Sequence, residues 1–270
     1  VNHSGSLDDA VRMIRAAKMS GAAMIKMQKR TPEICVPLSE WDKVRQTPWG
    51  ELRYIDYKKR IEFNGVDYDT IHHVCKEENI PWFASVWDTP SVDFIEAYNP
   101  PCYKIGSASL TDHELIRKVV TLGRPVIMST GMSTLDEIED ALQLVRDVPT
   151  ILCHSTSIYP CPKDKLNLLF LRQLAEMAPE VVIGYSGHEQ GVHITPTVVG
   201  LGASYIERHF TLDRRAWGTD QAASIEHWQF KDMADRIHET WQALGDGVKV
   251  VYPEEEEKKV ALRKQSVGNR

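Results

Sequence analysis

Val182-Ile183-Gly184-Tyr185-Ser186-Gly187-His188-Glu189 and Ala203-Ser204-Tyr205-Ile206-Glu207-Arg208-His209-Phe210 are two runs of one design. Each opens on a short apolar segment and ends in polar, loop-forming residues, the pattern of a buried parallel strand that spills into a loop at its C-terminal end. Val192–Gly202 between them is apolar and long enough for a helical crossover. Parallel strands joined in this way bring their C-terminal ends side by side, so His188 and His209 can face one point. Two imidazoles with Glu207 and Asp220 nearby can hold a divalent metal with positions left open for a substrate. The plainer alternative is two unrelated histidines, one capping a helix and one packed in a loop.

The same unit repeats outward from that stretch. Apolar residues at Ala10, Val11, Ile14, Ala17 and Met19 have helical spacing over Leu7–Met19, and Ala22–Gln28 follows as a strand carrying Lys26 and Gln28. Further strands are expected at Pro81–Val86, Cys102–Ile105, Pro125–Ser129, Thr150–His154, Val181–Gly184 and Ser204–Arg208. Helices are expected at Asp67–Glu78, Thr89–Tyr98, Asp112–Leu122, Thr134–Arg146, Leu166–Met177, Gly191–Leu201 and Ile225–Leu244, with Thr89, Thr111 and Ser133 as N-caps. Val1-Asn2-His3-Ser4-Gly5 reads as a strand-end loop whose own strand is clipped. Counting it gives eight strands and eight helices in strict alternation, which implies a single-domain (β/α)8 barrel over residues 1–250. An open doubly wound sheet is the alternative, but no GxGxxG follows the first strand. Residues 29–65 interrupt the rhythm as a long loop rich in Pro, Trp, Arg and Tyr. Its basic run Lys58-Lys59-Arg60 suits either a solvated surface or a phosphate. Residues 251–270 read as a charged, frayed tail.

Bulk properties narrow the class. The chain has 270 residues, 42% of them hydrophobic, with a net charge of −6, which points away from nucleic acid and anionic membranes as partners. Five scattered cysteines without a CxxC fit reduced thiols, and no apolar run is long enough for a membrane helix, so a cytoplasmic enzyme is expected.

In a barrel the strand ends share one mouth. Collected there are Lys26, Gln28, Ser85, Lys104, Ser107, Ser129, Ser157, Tyr159, Ser186, His188, Glu207 and His209. Two lysines, several short hydroxyls and glycine turns suit a phosphate or carboxylate. A metal opposite them can polarise a carbonyl oxygen. This combination suits joining an anionic nucleophile to an aldehyde or ketone. A Schiff-base role for Lys26 or Lys104 in a metal-free aldolase is the second choice.

The stretches Asn2-His3-Ser4-Gly5, Ile25-Lys26-Met27-Gln28, Tyr103-Lys104-Ile105-Gly106-Ser107, Ser129-Thr130-Gly131-Met132, Thr156-Ser157-Ile158-Tyr159-Pro160, Gly184-Tyr185-Ser186-Gly187-His188, Glu207-Arg208-His209-Phe210-Thr211-Leu212-Asp213 and Gly218-Thr219-Asp220 occur in an order that resembles the sialic acid synthases. Gly187, Trp49-Gly50 and Ala223-Ser224-Ile225-Glu226 look more like the animal-type branch of that family. The resemblance implies a barrel transferase of sialic acid (nonulosonate) biosynthesis that condenses phosphoenolpyruvate with N-acetylmannosamine or its 6-phosphate and releases phosphate. It implies phosphoenolpyruvate on Lys26, Lys104, Ser107, Ser129, Ser157 and Ser186, with Ser85 standing in for a threonine that Val86 replaces. It further implies Mn2+, or Mg2+ or Co2+, on His188 and His209. Gln28, Tyr159, Glu207 and Asp220 would orient the amino sugar or the attacking water, with Glu207, Lys104, Asp220 and Tyr159 as the catalytic group. An acidic residue expected just before Val1, and the C-terminal antifreeze-like domain of many members, have no counterpart in the sequence. A homodimer is expected. The same chemistry on mannose 6-phosphate or a diacetamido hexose, or a barrel that binds a sugar or an anion without turnover, are the alternative functions.

Overall fold

The computed structural model describes residues 1–264. Its strands are β1 (Ile25–Lys29), β2 (Val44–Thr47), β3 (Gly50–Arg53), β4 (Trp82–Val86), β5 (Tyr103–Ile105), β6 (Val126–Ser129), β7 (Thr150–Ser155), β8 (Val182–Gly187) and β9 (Tyr205–Arg208). Its helices are α1 (Leu7–Met19), α2 (Pro32–Cys35), α3 (Tyr54–Ile61), α4 (Gly65–Glu77), α5 (Thr89–Glu96), α6 (His113–Val120), α7 (Leu135–Val145), α8 (Phe170–Met177), α9 (Thr195–Gly200), α10 (His227–Leu244) and α11 (Pro253–Leu262).

All seven strands expected from the apolar runs form, and all pair in parallel in the order β1-β4-β5-β6-β7-β8-β9. The expected eight-stranded barrel is therefore corrected to a seven-stranded parallel sheet among the described residues. Seven flat strands would set β1 and β9 roughly 29 Å apart at about 4.8 Å per strand. Instead Lys26 of β1 and Glu207 of β9 form an ion pair. The sheet must curl back on itself for one lysine side chain to cross that gap.

Period-two alternation gives the curled sheet two different faces. On the outside, Ala84, Val86, Tyr103, Ile105, Val126, Met128, Leu152, Ile183 and Tyr185 pack beneath the helices in the main core. On the inside, Phe83, Cys102, Ile127 and Cys153 form a smaller apolar plug with Met24, Ile151 and Tyr205. Two residues further along these strands, the same inner face carries Lys26, Ser85, Lys104, Ser129, Ser155 and Glu207. Gly184 keeps the plug closed, because a Cβ there would lie 2.8 Å from Cys153 Sγ and 3.1 Å from Tyr205.

Several local expectations change. The caps of α5, α6 and α7 are Asp88, Asp112 and Thr134, each one residue after or before the expected Thr89, Thr111 and Ser133. Residues 29–65 are an ordered insertion rather than a loop: α2, the β2–β3 hairpin and α3, which buries Ile55, Tyr57 and Ile61. The expected frayed tail is helical over Pro253–Leu262, with its charges in solvent, and residues 265–270 of that tail lie outside the described residues. The cysteines are free thiols, four of them buried. Among the described residues, no helix is long and apolar enough to cross a membrane.

Candidate active site

Glu207 is the centre of the polar layer. Its side chain is 7% exposed and pairs with Lys26 and, at 2.8 Å, with Lys104, whose side chain is 3% exposed. Ser186 Oγ donates to the same carboxylate at 3.2 Å and the Tyr205 phenol at 3.0 Å. Burial raises the Glu207 carboxyl, but the charges of Lys104 and Lys26 outweigh it and hold the group well below the usual carboxylate range. Burial lowers the Lys26 ammonium, opposed by Glu207. Both lysines expected to clamp an anion are thus present, already paired with an internal carboxylate that an incoming anion would displace or join.

Short hydroxyls lie along the neighbouring strands and loops. Ser85 stands in register with Gln28 on one side and Lys104 on the other, while Val86 is buried in the outer core, so Ser85 is the hydroxyl facing inward. Ser107 Oγ accepts from the Gly131 amide at 3.1 Å. A Cβ at Gly131 would overlap both Ser107 and Ser157, so the glycine is what lets the two loops close together. The hydroxyl oxygens of Ser129, Ser155 and Ser157 are buried and have no hydrogen-bond partner. Unsatisfied buried hydroxyls side by side are costly unless a ligand supplies the missing bonds. A cavity of about 360 Å³ opens beside them, lined by Thr130, Ser133, Ser155, Thr156, Ser157 and Lys165.

The histidines do converge: the His188 and His209 rings lie 5.2 Å apart, with the Tyr159 ring tilted 4.1 Å from His188 and edge-on 5.8 Å from His209. His188 Nδ1 bonds to the Thr156 carbonyl at 2.8 Å, and His209 Nδ1 lies 3.3 Å from Asp220. An Nδ1–H committed to an oxygen leaves Nε2 as a lone-pair donor, the arrangement that orients metal-binding imidazoles. Burial, and then the neighbouring His209, lower His188 to about 3, so it is neutral at pH 7 as a ligand must be. Burial raises the Asp220 carboxyl, but its bond to His209 outweighs this and holds it below its ordinary range. The pair therefore fits two ligands of a divalent ion. Among the described residues no group of three or more His, Cys, Asp or Glu side chains forms a fuller cage. Asp220 buttresses His209.

A buried lattice ties the two histidine loops together. Arg208 pairs with Glu189 at 2.9 Å and donates to Gly187 O at 3.1 Å, and Tyr185 donates to Glu189 at 2.8 Å. Neither this lattice nor the Tyr205 contact was singled out from sequence. Period two from Glu207 would have found Tyr205, whereas Glu189 sits in irregular backbone where no period applies.

The sequence profile of the NeuB family matches residues 13–249. Human N-acetylneuraminate-9-phosphate synthase is 33% identical over 256 residues, 93% of this chain and 71% of that protein. The N,N'-diacetyllegionaminic acid synthase of Campylobacter jejuni is 31% identical over 282 residues, 100% of this chain and 83% of that protein. Among solved structures, an N-acetylneuraminic acid synthetase from Leptospira borgpetersenii in complex with citrate superposes with a TM-score of 0.87 at 28% identity, over 98% of this chain and 90% of that one. A truncated 3-deoxy-D-arabino-heptulosonate 7-phosphate synthase from Thermotoga maritima shares the fold, with a TM-score of 0.66 at 11% identity over 89% of this chain and 84% of that one.

Proposed function

This chain belongs to the NeuB family, and on that premise we propose that it is a nonulosonic acid synthase condensing phosphoenolpyruvate with an N-acetylated amino sugar. The observation that carries the reading is the Lys26–Glu207–Lys104 triad, set between partnerless serine hydroxyls and two histidines with free Nε2 atoms. Two cations, three unsatisfied donors and the Gly131 turn suit a small dianion or trianion, and phosphoenolpyruvate carries both carboxylate and phosphate.

In this reading Lys26, Lys104 and Ser186 hold the carboxylate end, while Ser107, Ser129 and Ser157 hold the phosphate. The enol carbon forms a C–C bond to the sugar's carbonyl carbon, and the carbonyl oxygen takes up a proton. A divalent metal held by His188 and His209, manganese by family likeness, would supply Lewis-acid polarisation of that oxygen. Water then adds to the electron-poor carbon that bears the phosphate ester. Glu207, ionised and buried within reach of both lysines, orients the water and stabilises the positive charge at that carbon. The C–O bond to phosphate breaks, leaving an α-keto acid. Tyr159 and Gln28 line the sugar side, and Asp220 keeps His209 in the tautomer with Nε2 free.

The test is phosphate release from phosphoenolpyruvate with Mn2+, offered N-acetylmannosamine, its 6-phosphate, mannose 6-phosphate and a diacetamido hexose in parallel, beside a His188→Ala control. Release that needs one acceptor and is lost with chelator and in the variant supports the synthase. Absence of release with every acceptor overturns it.

A further inference from the structure

Strand alternation puts Tyr185 and Gly187 of β8 and Arg208 of β9 on the outer face of the curled sheet, opposite Ser186 and Glu207. Arg208 stands in register with Gly187 and immediately precedes His209, while Glu189 immediately follows His188. The Arg208–Glu189 ion pair, with side chains 0% and 1% exposed, therefore lies behind both imidazoles.

Beyond Gly187 the chain leaves β8, and its carbonyls need donors that the strand ladder no longer supplies. Arg208 supplies most of them. Its Nε donates to Gly187 O at 3.1 Å, Nη1 to Gly191 O at 2.9 Å, and Nη2 to Glu189 O. The carbonyl of His188 itself accepts from the Cys161 amide at 3.0 Å. The second Nη1 hydrogen goes to Glu189 Oε1 at 2.9 Å, and the Tyr185 phenol donates to Glu189 Oε2 at 2.8 Å. Four of the five guanidinium donors are thus engaged, two of them on the carbonyls to either side of His188. The Glu189 carboxylate reaches Tyr185 by folding back over Gly187, where a Cβ would lie 2.6 Å from Oε2 and 2.5 Å from Tyr185 Cε1. Gly187 is in extended strand backbone, so room rather than conformation is what requires glycine there.

A buried ion pair is a poor source of stability, because desolvating two charges offsets their attraction. What this one supplies is a rigid planar fork that reaches three carbonyls at once. We propose that Arg208 and Glu189 are positioning residues, a clasp on the outer face that holds the His188 and His209 rings at their 5.2 Å separation, and that Gly187 is bare so that the clasp can close. This rests on the reading of the two histidines as ligands of a divalent ion. Lys26, Lys104 and Glu207 face the other side of the sheet, so loosening the clasp disturbs the histidines and leaves the anion-binding layer as it is.

The experiment is calorimetry on the unliganded protein, with Mn2+ and with phosphoenolpyruvate as separate titrants, for wild type, His188→Ala, Arg208→Lys and Tyr185→Phe. Circular dichroism establishes that each variant is folded. Lysine keeps the charge opposite Glu189, but its single nitrogen cannot span the carbonyls of Gly187, Glu189 and Gly191. Arg208→Lys should weaken Mn2+ roughly 10-fold, the low end of what loss of an outer-shell partner costs, and leave the Kd for phosphoenolpyruvate unchanged. Tyr185→Phe removes only the bond to Glu189 Oε2 and should give a smaller fall with the same selectivity. It carries the test if Arg208→Lys does not fold. A purely structural role moves both affinities together or neither, and either result overturns the proposal. Mn2+ binding that His188→Ala abolishes and the clasp variants leave intact overturns the positioning role alone. Wild type that binds no Mn2+, or binds it equally after His188→Ala, overturns the metal reading and the clasp with it.

Discussion

Replacing Glu207 by Gln keeps the side-chain volume and removes the charge on which the interior of the curled sheet is balanced. Lys104 and Glu207 are 3% and 7% exposed, and deleting one partner of so buried a pair costs about 3–5 kcal/mol. Lys26 is 24% exposed and can turn its ammonium toward the mouth, which places the cost near the lower end, at about 3 kcal/mol. For a chain of this size that is a fall in Tm of roughly 6–12 °C. Differential scanning calorimetry at pH 7 reads it directly. Phosphoenolpyruvate at about 100 times its Kd adds about 2.7 kcal/mol to wild type. In Glu207→Gln it should add more, because its charges also relieve two unpaired ammoniums. Phosphate release should fall by about 10²–10⁴-fold, the usual loss when a positioned acid–base or electrostatic group is removed. A variant within about 1 °C of wild type, showing the same ligand shift, would refute the account of Glu207 as the charge centre.

His188→Ala should lower Mn2+ affinity, measured by calorimetry on the unliganded protein, by at least the 10–100-fold that loss of even an outer-shell partner costs, and unchanged affinity would remove the histidine pair as the metal site. Gly131→Ala pushes a methyl group into Ser107 and Ser157, so the KM for phosphoenolpyruvate should rise roughly 10-fold or more for one displaced donor. An unaltered KM would detach those serines from the substrate. Asp88 caps α5, accepting from Ser91 N at 2.8 Å and Thr31 N at 2.6 Å. Burial raises its carboxyl, but these bonds and the Cys35 thiol outweigh burial and the net shift is downward. A folded-state value below the unfolded one means that its stabilisation is present above the unfolded pKa of about 3.9 and is lost as pH falls through the lower folded value. Asp88→Asn keeps a competent cap but exchanges a charged acceptor for a neutral one, and should therefore cost about 1 kcal/mol in urea denaturation at pH 7, with the difference shrinking toward pH 3, and a difference independent of pH would show that the charge is not what matters.

Much of the fold was readable from local pattern. The apolar runs at Val182–Ile183 and Tyr205–Ile206 alternate correctly for parallel strands, and all seven strands form where such runs stand. Helix caps were off by one because the paired candidates, such as Asp88 and Thr89, are both competent side chains, and only the backbone angles choose between them. The insertion was harder to read. Val44–Thr47 and Gly50–Arg53 are largely exposed, so they lack the apolar alternation that marks a strand and are held by each other's hydrogen bonds. Lys58, Lys59 and Arg60 looked equivalent as a run, but α3 turns successive side chains about 100° apart, which sets Lys58 over the Tyr54 ring, pairs Lys59 with Glu33 and lays Arg60 over Trp49.

The sequence by itself determined which residues end strands, and so which side chains could meet at the mouth: Lys26, Lys104, Ser129, Ser186, His188, Glu207 and His209. It could do so because strand alternation and helix spacing are local, each residue's face following from its near neighbours. Only the tertiary structure decided that Glu207 sits between two lysines and that Asp220 braces His209. Those relations span 181 residues from Lys26 to Glu207 and 103 from Lys104 to Glu207. They follow from the summed twist and curl of seven paired strands, a property of the whole sheet that no single segment carries.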